Sequence, residues 1–574
     1  MAARRKIWTV RATLRDAHGA GCPLMPSLFR TDLAFLMLLL IPPLGNSQAQ
    51  APTPPESHNP DFPPLTMTQG RAGSPIPATP FALGMEYFRA SNFEKAAEQF
   101  QLATAPDPKA YALSYAWLAR TYIHLHKIPE AETAVEKALN YDKDLPEART
   151  AQGELYFRLA KMAEAELIFK TLIKEKRAGA RAYYGLAEIY TITANYKTAK
   201  LLLDAAHTLS PKDPDIARAW MFTLTRKERL EELKRRFAET KYKDEEEQTN
   251  LADEIAVLED REKNPMRSCK LTTKVVSTET RLEALLDDPK RIRGFGLPVS
   301  VNGVKSTLLL DTGASGILIN SKIAQRSGLT PIGEQRIGGI GDKGATHGYS
   351  TFAKTLQVGN LEFENCYIDV VDKKNSLGED GLIGADVFED FLIDIDFLNH
   401  KLRLSELPPF PDESPHDPAL QSDPSEEAKL HNRFIPPEFE KYERAYRFGH
   451  MLLLSAKINE APSKLFLLDT GAWDNMITPA AAREVTKLYS RDDMTIRGLN
   501  GKVEKVYATG MVNLKFSHFQ RSQELVAFDL SNLSDHVGTE VSGTLGFAML
   551  YQLEIRIDYR DNLIEFQYDP NRNH

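Results

Sequence analysis

Leu308-Leu309-Leu310-Asp311-Thr312-Gly313-Ala314-Ser315 is the stretch that decides the fold of this chain, and it returns as Phe466-Leu467-Leu468-Asp469-Thr470-Gly471-Ala472-Trp473. In each copy an apolar run ends in a carboxylate, a hydroxyl and a glycine, and such a run bounded by Gly is typical of a buried strand. Burying a carboxylate at the end of an apolar strand is energetically costly unless the carboxylate is paired or hydrogen-bonded. A single Asp-Thr-Gly would more often be an ordinary turn, but two such carboxylates in one chain predict that they meet.

The sequence around the two phrases is duplicated as well. A segment ending in Gly recurs at Leu382-Ile383-Gly384 and Thr544-Leu545-Gly546, and an Asp that closes a strand-like run lies 12 residues after each glycine. The C-terminal half is therefore an internal duplication, with the order hairpin, Asp-Thr-Gly loop, short helix, glycine-containing hairpin and closing strands. In the second unit, Thr478 as N-cap and Pro479 at the first helical position predict where the short helix begins.

This order resembles the two lobes of aspartic endopeptidases of the retropepsin and pepsin type, over roughly residues 293–405 and 447–568. The resemblance implies that Asp311 and Asp469 form a catalytic dyad. Pepsins build their site from two lobes of one chain and retroviral enzymes from two chains; two lobes in this chain favour the first arrangement, with dimerisation as the alternative. The residues that the resemblance assigns to support of the active-site loops are Thr312, Gly313, Thr470, Gly471, Gly384 and Gly546.

Two carboxylates close together supply what peptide hydrolysis without a metal requires. Like charges at short distance resist joint ionisation, so the pair holds one proton. The ionised carboxylate takes a proton from water and the protonated one polarises the scissile carbonyl. The two threonines would brace the loops through their hydroxyl groups, or each would only satisfy its own turn. Ala314 and Ala472 stand where pepsins usually carry a hydroxyl, which predicts a dyad that works at milder pH than that of pepsin.

Glycine-rich segments in both lobes are candidates for the β-hairpin flap that covers substrate in this family. Residues 337–344 contain four glycines, and residues 496–502 are their counterpart in the second lobe. Such composition suits a mobile lid, although an ordinary glycine-rich hairpin is the alternative. Trp473 stands where the first lobe has Ser315, and it would either shape a subsite or obstruct the dyad. The flap candidates are Gly338, Gly339, Ile340, Gly341, Gly498 and Leu499.

The N-terminal half contains a different repeat. Small residues recur at Ala96, Ala131, Ala165 and Ala199, with a first step of 35 residues and later steps of 34. A Tyr lies nine positions before each of them. This period and these positions resemble tetratricopeptide (TPR) repeats, whose small residues let paired helices approach closely. The resemblance implies a solenoid of helix pairs with a concave surface for a protein or peptide partner.

The N-terminal segment, the cysteines and the net charge indicate where the protein is located and which ligands it lacks motifs for. Residues 33–41 are an apolar run too short for a typical membrane span, and the Ala49-Gln50-Ala51 pattern after it predicts a cleaved export signal, with an uncleaved anchor as the alternative. Export would permit Cys269 and Cys366 to form a disulfide, and two buried thiols are the alternative. A net charge of −8 and pI near 6.0 exclude a basic nucleic-acid footprint. No Cys/His spacing or dinucleotide motif predicts a metal or cofactor.

The sequence therefore predicts a multidomain α + β protein, in which an α-helical TPR solenoid precedes an all-β bilobal aspartic-protease domain of two retropepsin-like barrel lobes. The predicted function is that of an exported, periplasmic or secreted bacterial aspartic endopeptidase without a cofactor. The alternative is a catalytically inactive protein-binding scaffold, and contact with a membrane is expected only if the N-terminal segment stays as an anchor. The predicted boundaries are 1–51 for the targeting segment, 52–80 for a disordered linker, 81–263 for the solenoid with capping helices, 264–405 for lobe 1, 406–440 for the inter-lobe linker and 441–574 for lobe 2.

Overall fold

The computed structural model describes residues 7–9, 79–104, 108–239, 248, 251–252, 254–256, 258–259, 269–273, 277–288, 291–340, 346–371, 380–411, 430–499 and 501–568. The predicted export signal at 33–51, residues 52–78 of the linker predicted at 52–80, most of the inter-lobe linker and the flap candidate Gly341 lie outside these ranges. Within them no helix has the length and apolar character to cross a bilayer.

The chain forms two compact units. The helical unit comprises, among the described residues, 79–191 and 196–225, and the β-rich unit contains residues 192–195 and those from 226 onward. Helix α1 begins at Pro80, where Thr79 accepts the N-cap hydrogen bond from the amide of Ala82 at 3.3 Å. The helices are α1 (Pro80–Arg89), α2 (Phe93–Ala103), α3 (Pro108–His124), α4 (Ile128–Tyr141), α5 (Pro146–Arg158), α6 (Met162–Lys174), α7 (Ala180–Ile192), α8 (Tyr196–Leu209), α9 (Pro214–Phe222) and α10 (Arg226–Glu239).

The repeat seen in the sequence is a repeat of helix pairs. The turn inside each of the first four pairs contains one residue with a positive φ, between 55° and 58°, and none of the four is Gly: Ser91, His126, Ala160 and Ala194. The repeated Ala residues at 96, 131, 165 and 199 are all buried. Close approach is enforced elsewhere by Gly, since a Cβ added at Gly153 would lie 2.6 Å from the ring of Phe169.

The first helices of the pairs converge on one buried cation. Arg181 of α7 is 8% exposed, and its guanidinium donates to Asp213 at 2.8 Å and to Asp215 at 2.7 Å, both at the start of α9. It also donates to Glu154 of α5 at 3.1 Å and lies 5.0 Å from the ring centre of Phe88 on α1. The surface formed by the first helices therefore holds a satisfied ionic network of its own.

The first lobe is built on a nine-stranded sheet. Strand β6 ends at Asp311 and pairs in parallel with β11, in a register that sets Asp311 opposite Gly384. The short helix predicted after the loop is α11 (Ser321–Arg326). The strands up to the end of this lobe are β1 (Ile7–Thr9), β2 (Lys270–Leu271), β3 (Thr278–Arg281), β4 (Glu283–Asp288), β5 (Arg291–Val301), β6 (Val304–Asp311), β7 (Ile317–Asn320), β8 (Gly333–Ile337), β9 (Thr346–Val358), β10 (Leu361–Val371), β11 (Gly381–Gly384), β12 (Phe391–Asp396) and β13 (Lys401–Glu406).

The second lobe repeats this topology on a ten-stranded sheet. Strand β17 ends at Asp469 and pairs in parallel with β26, with Asp469 opposite Gly546. The predicted helix start is confirmed: α12 (Pro479–Arg483) is capped by Thr478. Two further helices are α13 (Ser531–Val537) and α14 (Phe547–Leu550), and the strands are β14 (Glu443–Arg444), β15 (Tyr446–Phe448), β16 (Met451–Ile458), β17 (Lys464–Asp469), β18 (Met476–Ile477), β19 (Leu488–Ser490), β20 (Thr495–Gly498), β21 (Gly501–Val503), β22 (Tyr507–Thr509), β23 (Val512–Phe516), β24 (Phe519–Gln523), β25 (Val526–Ala527), β26 (Gly543–Gly546), β27 (Glu554–Asp558) and β28 (Leu563–Gln567).

A third sheet joins the two lobes within this single chain. Its six strands run in the order β14-β28-β27-β12-β13-β3, and the closing strands β12 and β27 pair antiparallel at its centre. Phe295 and Phe397 of the first lobe pack with Phe547 of the second, at ring-centre distances of 5.8 and 5.4 Å. One apolar core thus runs through both lobes and holds the two Asp-Thr-Gly loops against each other.

Cys269 and Cys366 form a disulfide. The sequence allows either a disulfide or two buried thiols, and the structure contains the disulfide. The bond fastens the segment around Cys269 to β10, beside the antiparallel pairing of β2 with that strand. The strand in this segment is β2, at Lys270–Leu271.

Candidate active site

Strand alternation delivers both carboxylates into the contact between the lobes. Leu308 and Leu310 of β6 point into the main core, so Leu309 and Asp311 share the opposite face. Asp311 and Asp469 are both fully buried. Since each strand ends at its Asp, the carboxylate lies at the edge of the apolar interior, where the backbone amides of the following loop are within reach.

The threonines of the two loops form a reciprocal set of hydrogen bonds. The hydroxyl of Thr312 donates to the carbonyl of Leu468 at 2.9 Å and accepts from the amide of Thr470 at 3.0 Å. The hydroxyl of Thr470 donates to the carbonyl of Leu310 at 2.9 Å and accepts from the amide of Thr312 at 3.0 Å. Both hydroxyls therefore cross to the opposite lobe instead of satisfying their own turns. Four buried hydrogen bonds tie the loops together and set the distance between the carboxylates.

The backbone amides of the two loops donate unequal numbers of hydrogen bonds to the two carboxylates. Asp311 accepts one hydrogen bond, from the amide of Gly313 at 2.8 Å. Asp469 accepts two on the same oxygen, from Gly471 at 3.0 Å and Ala472 at 2.8 Å. Hydrogen bonds to a carboxylate favour its charged form. The two chemically identical loops thus provide different environments for the two acids.

The carboxyl groups are within hydrogen-bond reach of each other. A Cβ added at Gly313 would lie 2.8 Å from Cγ of Asp469, which places this carboxyl directly over the opposite loop and explains the glycine. Burial raises the pKa of Asp469 to about 7, while the amides of Ala472 and Gly471 and a hydrogen bond with Asp311 act in the opposite direction. A pair of this kind can hold one proton over the mildly acidic range.

Gly384 and Gly546 pack against the two loops, where no side chain fits. A Cβ at Gly384 would approach the carbonyl oxygen of Ala314 to 2.5 Å, and one at Gly546 would approach that of Asp474 to 2.3 Å. The amide of Gly384 donates to the carbonyl of Gly316 at 2.7 Å. These contacts brace the back of each Asp-Thr-Gly loop.

The lobes differ just beyond the loops. In the first lobe, Asp386 accepts hydrogen bonds from the hydroxyl of Ser315 at 2.8 Å and from the amide of Gly316 at 2.9 Å. In the second lobe Trp473 stands in place of the serine; its ring packs against Phe547 at 5.5 Å, and its carbonyl accepts from the amide of Ala548 at 2.8 Å. The tryptophan therefore packs on the core of its own lobe.

His450, a buried polar residue next to the first Asp-Thr-Gly loop, could not be predicted as part of the site from the sequence. His450 is 8% exposed and hydrogen-bonds the backbone carbonyl of Gly313. Burial lowers the pKa of His450 to about 4, with Asp386 acting against this shift and His536 adding to it, so the imidazole is neutral in the mildly acidic range. No motif marks this residue, because its partner lies 137 positions earlier in the chain.

Arg447 extends this polar group across the lobe boundary. It pairs with Glu389 of the first lobe and donates to the backbone carbonyl of Tyr559 at 2.9 Å. Its guanidinium lies 5.1 Å from the ring centre of Tyr559, which is fully buried. A hydrogen-bonded cation therefore supports the same region as His450.

The two flap segments touch each other. A Cβ at Gly498 would lie 2.1 Å from the carbonyl oxygen of Ile340, so the backbones of the two lobes meet there. The hydroxyl of Thr346 donates to the carbonyl of Leu499 at 3.3 Å. Gly338 and Gly339 precede this contact in the first lobe. Among the described residues, no group of His, Cys, Asp and Glu side chains is arranged to hold a metal ion.

Residues 297–387 match the family model for aspartyl protease. The chain is similar to the aspartic proteinase from Irpex lacteus, at 11% identity over 52% of this chain and 98% of that one, with a TM-score of 0.33. It is also similar to a thermophilic TPR protein from Thermus thermophilus, at 19% identity over 25% of this chain and 79% of that one, with a TM-score of 0.21. No curated protein matches the sequence. The family match, the duplicated strand topology and the repeated helix pairs confirm the predicted combination of a pepsin-like aspartic protease domain with a TPR-like helical region.

Proposed function

We propose that this chain is an exported aspartic endopeptidase that hydrolyses peptide bonds with water activated by Asp311 and Asp469. The observation that carries the proposal is the placement of two buried carboxylates over crossed Asp-Thr-Gly loops, each on the amides of its own turn. Burying two acids side by side destabilises a fold unless they share a proton. A structural core would use apolar side chains here, so the arrangement favours a chemical role.

The reaction follows from the shared proton. The ionised carboxylate accepts a proton from a water as that water attacks the scissile carbonyl carbon, and the protonated carboxyl donates a hydrogen bond to the carbonyl oxygen. A proton then passes to the leaving amine as the carbon–nitrogen bond breaks. Because the four threonine hydrogen bonds hold the loops at one separation, the two acids need little rearrangement between these steps.

The helical unit has a supporting role in this proposal. Stacked helix pairs present an extended surface suited to protein or peptide partners, and they would deliver substrate or tether the enzyme to an assembly. The network around Arg181 already satisfies the charges of Asp213, Asp215 and Glu154. A partner that contacted these side chains would have to compete with those ion pairs.

Cleavage of denatured casein across pH 3 to 8 tests the proposal. Wild type is expected to cut it, whereas Asp311→Asn and Asp469→Asn each lose activity by several orders of magnitude. Asp492→Asn is the matched control, because the carboxylate of Asp492 is exposed and accepts a hydrogen bond from the hydroxyl of the neighbouring Ser490. Inert wild type at every pH would favour the scaffold alternative. Activity in either single Asp variant equal to that of the control would refute the dyad.

Export is tested separately. Expression with the native N-terminus, followed by fractionation and N-terminal sequencing, is expected to give a product that begins near Ala51 outside the cytoplasm. Recovery of the full-length chain in the membrane fraction would instead support the anchor.

A further inference from the structure

His450 lies at the tip of a hairpin of the second lobe, and yet it is buried. Phe448 of β15 pairs with Met451 of β16, so Gly449 and His450 are the two turn residues between these strands. Gly449 has a φ of 60°, a conformation that two-residue hairpin turns favour at their first position. Residues at such tips usually face water. The burial of this histidine therefore comes from what the tip contacts.

A neighbouring cation holds the turn against the first lobe. Arg447 donates from Nε to the carbonyl of Gly449 at 2.7 Å, within its own turn. The same guanidinium pairs with Glu389 of the first lobe and donates to the carbonyl of Tyr559 at 2.9 Å. These contacts fix the backbone that carries His450 at the boundary between the lobes.

His450 contacts the first Asp-Thr-Gly loop through one defined nitrogen. Its imidazole hydrogen-bonds the backbone carbonyl of Gly313. Nε2 of His450 is buried and has no hydrogen-bond partner among the described residues, so the donor to Gly313 is the N–H at Nδ1. The contact selects the neutral tautomer that carries its proton on Nδ1, and the charged imidazole has the same donor. The hydrogen bond therefore does not depend on the charge of the ring.

The peptide group held by this histidine differs in orientation from its counterpart in the second lobe. The C=O and N–H of a trans peptide group point in opposite directions. While the carbonyl of Gly313 is directed to the histidine, the amide of Ala314 donates to the backbone carbonyl of Asp311 at 3.4 Å. In the second lobe, the amide of Ala472 donates to the carboxylate of Asp469 at 2.8 Å. The unequal hydrogen bonding of the two acids therefore follows from the orientation of one peptide group.

The histidine is a difference between the lobes and not part of the duplicated pattern. Leu309 and Leu467, each two positions before its aspartate, pair with Gly296 and Leu453. Three positions before these two partners, the first lobe has Arg293 and the second lobe has the histidine.

We propose that His450 is a positioning residue that makes the dyad asymmetric: it fixes the carbonyl of Gly313 and thereby keeps the amide of Ala314 away from the carboxylate of Asp311. Because Gly313 has no side chain to restrict its backbone, loss of the histidine donor lets the next peptide group turn and add a hydrogen bond to that carboxylate. Such a bond favours the charged form. The dyad would then lose its shared proton at a lower pH. This inference rests on the proposed function for its catalytic consequence, whereas the asymmetry itself concerns the ionisation of the dyad.

The titration of His450 is separate from that of the dyad. Burial lowers the pKa of His450 to about 4, with Asp386 acting in the opposite direction, so the ring is neutral where the shared proton is lost. The other charged or titratable groups that face this region are unchanged in the variants below: Asp386 after β11, Glu389, His536 in α13, Arg447 on β15 and Tyr559 after β27.

The first arm of the test is the pH dependence of kcat/KM for a peptide that spans the strongest casein cut. His450→Phe keeps a ring and removes the donor, and its alkaline limb is expected to lie about one pH unit or more below that of wild type. His450→Asn, whose amide nitrogen can take the place of Nδ1, is expected to keep the limb within about 0.3 pH units of wild type. His518→Phe, at an exposed histidine of the same lobe, is the control. An unmoved limb in His450→Phe, or equal shifts in His450→Phe and His450→Asn, would overturn the proposal.

The second arm requires no peptidase activity. An acid whose pKa is raised in the folded state stabilises the fold at low pH, and this contribution is lost as the pH rises. The urea midpoint of wild type is therefore expected to fall between pH 5 and pH 8, by a smaller amount in His450→Phe and by the same amount in His450→Asn. This pattern with an inert wild type would retain the inference and refute the peptidase.

Equal falls in all three proteins, in an enzyme that cuts casein, would refute the inference and retain the peptidase. Circular dichroism verifies the folding of each variant. If His450→Phe does not fold, His450→Leu, which also lacks the donor, takes its place in both arms.

Discussion

Replacement of Thr312 by Val tests whether the crossed threonine hydrogen bonds hold the two lobes together. Valine keeps the shape of the side chain and removes its hydroxyl, which is fully buried. Two groups lose their partner: the carbonyl of Leu468, now 2.9 Å from the hydroxyl, and the amide of Thr470, now at 3.0 Å. A buried polar group left without a hydrogen bond costs about 1–3 kcal/mol. The expected loss in the free energy of unfolding is therefore about 2–6 kcal/mol.

The assay is urea unfolding of the full chain at pH 6, followed by near-ultraviolet circular dichroism. Thr312→Ser is the matched control, since it keeps the hydroxyl and loses one methyl group, for an expected cost of about 1 kcal/mol. Because the same bonds position Asp311 against Asp469, Thr312→Val is also expected to lower kcat, whereas Thr312→Ser retains most of it. If the unfolding free energies of the two variants agree within about 0.5 kcal/mol, the reasoning from unsatisfied buried groups is wrong for this site.

Three further predictions concern pH, the disulfide and the helical unit. The peptidase rate is expected to fall as pH rises above about 7, because Asp469 then loses the shared proton, and a pH–rate profile peaking near pH 2 would contradict this expectation. Because the pKa of Asp469 is raised in the folded state, the stability that this group contributes is present at low pH and is lost as the pH rises to 7. Changing both Cys269 and Cys366 to Ser removes a disulfide between residues 97 positions apart and should lower the free energy of unfolding by about 2–4 kcal/mol. The Tm of this variant should be lower than that of wild type and should not change on addition of reductant, whereas reductant should lower the Tm of wild type. Arg181→Met removes the cation that pairs with Asp213, Asp215 and Glu154, although Asp215 keeps its contact with His124 and Glu154 keeps its pair with Arg120. The change should destabilise the helical unit by about 3–5 kcal/mol in urea unfolding, and an unchanged midpoint would refute the importance of this network.

The largest features of the molecule are readable in the sequence because they depend on local patterns that occur more than once. The 34-residue spacing of small residues predicts helix pairs, and the two Asp-Thr-Gly phrases predict a duplicated lobe. Each pattern reports which residues of one element face inward, and repetition distinguishes it from chance. The fold class could be predicted for these reasons, as could the expectation that Asp311 and Asp469 meet.

Contacts between distant segments could not be predicted in the same way. The pairing of Cys269 with Cys366 cannot be read from the sequence, because two cysteines in a chain specify neither their distance nor their orientation. His450 resembles any other histidine until the fold brings it to the carbonyl of Gly313. The glycines near 338 and 498 indicated flaps, but nothing in the composition showed that one tip enters the opposite lobe.

By itself the sequence determined the two repeated units and the pair of acids, since strand alternation and helical period are set by residues only a few positions apart. Only the tertiary structure decided how the loops interlock through Thr312 and Thr470, and that Leu499 packs with buried apolar residues of the first lobe. The physical reason is that these arrangements depend on the relative placement of two lobes. That placement is set by the shared core and the β12–β27 pairing, whose residues lie more than 150 positions apart in the chain.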